Sequence, residues 1–165
     1  MSFLLDRASA EQAVALVAPM LEQARQNKAI GESGFLHAVI VDPARRPENS
    51  SFEDAILFEH SAGDRAKWDA DYAAFARAKA KLAWRTGMSS EMAQMRYPHL
   101  LVEGDTLLWG SVNLDGIVVG VSGANPWYDE AFAGALAYCL RAAARARREQ
   151  AAAAGHTLGA LPPAR

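Results

Sequence analysis

The stretch from residue 107 to residue 140 limits the fold more than any other. Two apolar runs, 107–114 and 117–121, flank Asp115-Gly116. A two-residue type I′ turn needs positive φ at both positions, and Asp-Gly adopts that with little strain. The pair of runs therefore reads as a β-hairpin. The chain then passes through Ser122-Gly123-Ala124 to Asn125-Pro126. Asn is a good N-cap, and Pro at the first helical position has the right φ and no N–H to satisfy. Phe132, Leu136, Cys139, Leu140 and Ala143 follow at helical spacing, so a helix closes the unit. Gly110 and Gly120 lie inside the strand patterns, where a missing side chain marks a bulge or a close backbone approach.

The rest of the chain supplies partners for that hairpin. Ser9 and Gln12 form a capping box before Ala10, Val14, Val17, Leu21 and Ala24, which share a helical face. Residues 35–41, FLHAVIV, are apolar at odd and even positions alike, as in a strand covered on both faces. His37, the polar exception, is expected to be a hydrogen-bonded core histidine. A second strand, 55–59, pairs antiparallel with the first and ends at His60. A helix is expected over 64–86, with Trp68, Tyr72, Phe75, Lys79 and Leu82 on one face and Gly87 as its stop. A short helix over 89–95, capped by Ser89 or Ser90, and an extended piece over 99–103 precede the hairpin. Strands in antiparallel sets with helices between them make an α+β fold: about five strands covered by helices on both faces.

A chain of 165 residues is expected to form one domain, here residues 1–149, followed by a flexible tail over 150–165. A net charge of −2 gives no basic surface for nucleic acid. The single cysteine excludes an intrachain disulfide. Neither a signal peptide nor a membrane-spanning apolar run is evident, so a cytoplasmic protein with no membrane partner is expected.

Chemical motifs are sparse. Ser122 lies between glycines, but the segment Gly120-Val121-Ser122-Gly123 lacks the GxSxG spacing of a nucleophile elbow. The amides of Ser122, Gly123 and Ala124, followed by a helix N-terminus, can receive an anion; alternatively the glycines serve only to turn the chain. Asp129 and Glu130 fall in the first turn of that helix, where carboxylates interact favourably with its dipole. Lys79 either snorkels to solvent or points into a pocket and meets an anionic group. His37, His60, His99 and His156 have no metal-ligand spacing. A haem iron needs only one or two donors, and His60 or His99 can provide one, with Met95 a weaker alternative. Trp109, Trp127 and Tyr128 are suited to pack on a flat ligand or on a neighbouring subunit.

Lys79-Ala80-Lys81-Leu82-Ala83 resembles the KAxTA helix segment of the GlcG/HbpS-like haem-binding and haem-degrading family. Val121-Ser122-Gly123-Ala124 with Asp129-Glu130 resembles that family's GVSGA…DE motif. Leu82 replaces the motif threonine, and Glu59-His60-Ser61 replaces the family's arginine-methionine-aspartate stretch, as in a divergent branch. The resemblance implies a profilin-like sheet between helices, a homo-oligomer, and haem or a related tetrapyrrole as ligand. Lys79, Ser122, Gly123, Ala124, Trp127, Asp129 and Glu130 would form the binding site. Three roles follow: a small-molecule-binding protein, a haem-degrading or small-carboxylate enzyme, or a ligand-free scaffold. No catalytic constellation is evident, so non-enzymatic binding is favoured.

Overall fold

The computed structural model describes every residue except Met1, Phe3, Glu32 and 156–165, so His156 lies outside the described residues. The elements in chain order are α1 (Arg7–Gln26), β1 (Leu36–Val41), α2 (Phe52–Ala55), β2 (Ile56–Ala62), α3 (Tyr72–Thr86), α4 (Ser90–Arg96), β3 (Ser111–Leu114), β4 (Ile117–Ser122) and α5 (Pro126–Ala153). The strands form one antiparallel sheet in the order β2-β1-β4-β3.

The strand that is apolar at both parities lies in the middle, and all six of its residues are buried. Leu36, Ala38, Ile40, Val119 and Val121 face α1 and α5. Val39, Val41 and Val118 face α3. The α+β expectation of a sheet covered on both sides therefore holds. Asp115 (φ 53) and Gly116 (φ 92) make the expected hairpin turn between β3 and β4.

Four expectations are corrected. Among the described residues the sheet has four strands, because Pro98–Leu100 is a 3-10 turn and β3 starts only at Ser111. Proline has no N–H to give to a ladder, and Gly110 at φ 128 bends the chain out of strand geometry. The first helix starts earlier: Asp6 is its N-cap, accepting from the Ser9 N–H at 2.9 Å, while the Ser9 side chain completes the box from the third position. The Arg147 guanidinium holds the Asp6 carboxyl well below the usual carboxylate range and ties α1 to α5. The helix expected from residue 64 is broken into a 3-10 turn, Arg65–Lys67, and α3, which Asp71 caps through the Ala74 N–H. At the far end α5 runs to Ala153, past the expected start of the tail, because alanine is the best helix former.

The α3 face also differs from the sequence reading. Its buried stripe is Tyr72, Ala73, Ala76, Lys79, Ala80, Leu82 and Ala83, and Phe75 points outward. The reason is Gly120. A Cβ there would lie 2.6 Å from the Ala76 carbonyl oxygen and 2.8 Å from the Ala80 Cβ. Helix and sheet touch backbone to backbone, which only small residues allow.

Candidate functional site

Lys79 sits in that close contact and neither snorkels nor stays free. It is 2% exposed. Its ammonium donates to Asp129 Oδ2 at 2.8 Å, to the Val121 carbonyl at 3.0 Å and to Ser122 Oγ at 3.2 Å. Asp129 is 1% exposed, and its Oδ1 accepts the Ala124 N–H at 2.9 Å. The two motif segments of the sequence therefore meet as one buried ion pair, fixed by α3, the end of β4 and the first turns of α5.

Burial displaces both titrations. It pushes Asp129 up to about 6, against the opposing pull of the Lys79 charge and of the Ala124 and Gly123 amides. It lowers Lys79, against the Asp129 charge. For both groups desolvation outweighs attraction, as is usual for ion pairs taken out of water.

Neighbouring residues seal the pair. A Cβ at Gly110 would lie 2.5 Å from the Asp129 Cβ and 3.1 Å from Lys79 Nζ, so only glycine passes there. Ser90 Oγ accepts the N–H groups of Gly110 and Ser111 at 3.1 Å each, and Ser111 Oγ donates to the Lys79 carbonyl at 2.8 Å. Ser111 was not singled out from the sequence, and Ser90 only as an alternative cap of α4, a role that Ser89 takes. Serine within a helix start and a strand looks ordinary until the backbone it satisfies is known to be buried. Gly123 (φ 130) runs against β1, where a Cβ would lie 2.0 Å from the Phe35 carbonyl oxygen.

The pair floors a cleft of about 410 Å³ lined by Ser33, Asp69, Tyr72, Leu108, Pro126, Lys79, Asp129 and the 122–124 loop. The Tyr72 hydroxyl donates to Asp69 at 2.5 Å, and Ser33 Oγ to the Gly123 carbonyl at 2.6 Å. Clefts of similar size occur beside Glu59 and Arg77 and beside Arg45 and Trp84. What distinguishes the first is its buried charge, since displaced titrations cluster at functional sites.

Of the sequence candidates, Lys79, Ser122, Gly123, Ala124 and Asp129 come together at this cleft. Trp127 projects outward, 58% exposed, and does not line it. Glu130 is half-buried in α5, with Oε2 sealed from solvent and unpartnered; burial, then the Glu91 charge, raises its titration. Asn125 occupies the N-cap position but bonds the Ala29 carbonyl instead of the helix. His60 pairs in register with Ala38, which puts it on the α1/α5 face, across the sheet from Lys79. His99 lies exposed on the 3-10 turn beside Tyr97. His37 is buried between Ser61 Oγ (2.8 Å) and Glu59 Oε1 (3.2 Å), with Arg77 clamping Glu59 from α3. That chain of bonds ties β1, β2 and α3 together. Because Glu59 can only accept, His37 carries its proton on Nε2, and Nδ1 accepts a hydrogen bond from the Ser61 hydroxyl.

A haem in this cleft would need cations for its propionates and an axial donor for its iron. Lys79 is already committed three times over, Asp129 occupies the loop amides, and among the described residues no histidine lines the cleft. The residues of the cleft do not fit haem.

Among the described residues no group of His, Cys, Asp and Glu could hold a metal ion, and no helix is long and apolar enough to cross a membrane. No family model matches the chain. No curated protein matches it either. Solved structures of similar fold include the following two. The PduOC–haem complex has a TM-score of 0.50 at 15% identity, covering 84% of this chain and 94% of that one. The Klebsiella pneumoniae protein ORFY, of DUF336, has a TM-score of 0.50 at 18% identity, covering 84% and 91%. The likeness is one of fold, and at that level it agrees with the GlcG-like resemblance of the two motif segments.

Proposed function

We propose that the chain binds a small molecule in the cleft above the Lys79–Asp129 pair, without chemical turnover. The observation that carries this reading is the pair itself. A fully buried lysine and aspartate cost more than an apolar filling of the same volume, and their desolvation is the largest influence on both titrations. A fold needs no such pair on a cleft floor for stability alone. The cleft volume also lies in the range of small-molecule sites, roughly 300–1,000 Å³. The test is a thermal-shift screen of polar metabolite-sized compounds against the wild type and Leu108→Trp, which fills the cleft mouth. Ligands should raise Tm of the wild type only. Hits that stabilise both proteins equally would move the site elsewhere.

Haem is the second reading, favoured by the PduOC–haem complex of similar fold. A haem would then lie outside this cleft, most simply between copies of a homo-oligomer. Titrating haem into the protein should give a shifted, stoichiometric Soret band, altered in His99→Ala or His60→Ala if either ligates. An unshifted band removes haem from consideration.

A further inference from the structure

Resting on the reading of the cleft as a ligand site, we infer that it takes an organic cation such as an amine, and that Asp129 is the residue that turns anions away. Amides before a helix N-terminus, faced by a lysine, are a ready-made carboxylate receptor. In this protein the receptor is already full. Asp129 Oδ2 takes the lysine at 2.8 Å, and Oδ1 takes the Ala124 N–H at 2.9 Å. The remaining two ammonium protons go to the Val121 carbonyl and Ser122 Oγ. An ammonium has three donors, so none is left for a second anion. The chain has built the carboxylate into its own helix, four residues after Asn125.

What the cleft still offers is negative. Of its three charged linings, Lys79 and Asp129 cancel, and Asp69 remains. One Asp69 oxygen accepts the Tyr72 hydroxyl, which fixes the carboxylate at the mouth, and no ion pair among the described residues engages the other. Leu108 and Pro126 provide apolar wall for a carbon skeleton. A cation whose ammonium meets Asp69 satisfies that charge. A carboxylate entering the same space meets the unpaired charge of Asp69, no free cation, and only the Ser122 hydroxyl as a side-chain donor.

The test uses benzylamine and benzoate, which share size and shape and differ in charge. Binding is read from the amide resonances of Gly123 and Ala124 in full-length protein. Benzylamine should shift them saturably, Asp69→Asn should weaken it at least tenfold, and benzoate should leave them unmoved. Asp129→Ala should reverse the preference by opening the receptor to benzoate. If that variant does not fold in chloride, acetate should restore its folding, and failure of acetate to do so counts against the inference. Saturable benzoate binding by the wild type, or benzylamine binding untouched by Asp69→Asn, would overturn the cation assignment while leaving the cleft a ligand site. Silence from both probes would overturn the two readings together.

Discussion

Removing Lys79 alone leaves the Asp129 carboxylate buried with amides but no counter-charge. Lys79→Met should therefore cost about 3–5 kcal/mol in urea unfolding, the usual penalty for orphaning one member of a buried pair. Lys79→Met with Asp129→Asn should recover most of that, because the amide oxygen still accepts from Ala124. A single-variant loss under about 1 kcal/mol, the scale of an exposed pair, would show that the pair is solvated. The pH dependence has a definite sign. Asp129 titrates at 3.8 when unfolded and near 6 when folded, so its protonated form favours the fold. The stability of wild type relative to Asp129→Asn should fall as pH rises from about 4 to 6, then level off; a rise over that window would contradict the assigned burial. Both residues were visible in the sequence as site candidates, but their pairing was not. They stand 50 positions apart, and local spacing carries no information about a contact that long.

At the level of elements, the spacing between α3 and the sheet controls the site. Gly120 and the Ala76–Ala80 stripe set that spacing, and Lys79 enters the same layer. Gly120→Ala should lower stability by about 1–3 kcal/mol, as overpacking a close contact does, and the Lys79 environment should shift with it. Unchanged stability, measured by thermal unfolding, would mean that the helix can lift away freely. The hairpin, the buried central strand and the α1 face could be read from sequence because each has a short-range signature: a turn dipeptide, a run apolar at both parities, a 3.6-residue period. The stripe expected on α3 held at Tyr72, Lys79 and Leu82 but not at Phe75, which is exposed, nor at Trp68, which precedes the helix, and the reason is the opposite one. Helical spacing shows which residues share a face, but not that the surface opposite is a glycine that admits only alanine.

For the molecule as a whole, a run of apolar side chains lies open to solvent from α4 to the start of β3. Met95, Tyr97, Leu100, Val102, Leu107 and Leu108 are all exposed, Leu107 at 74%. Gln94 bonds the Thr106 and Leu108 carbonyls, which holds the two ends of this segment together. We propose a second copy of the chain as the partner of these side chains, since exposed apolar groups gathered on one face serve interaction. Sedimentation should show a homo-oligomer that Leu107→Glu dissociates; a monomer at every concentration would remove the proposal. The sequence by itself determined the α+β class, the antiparallel hairpin and the two segments that carry the candidate site, since these follow from turn chemistry and hydrophobic period. Only the tertiary structure decided that the lysine and the loop amides are taken by Asp129, that His60 faces away from them, and that Asp69, held by the Tyr72 hydroxyl, lines the cleft beside that pair. Those outcomes depend on which side of the sheet each residue occupies and on what fills the space beside it, and both are set by packing between distant parts of the chain.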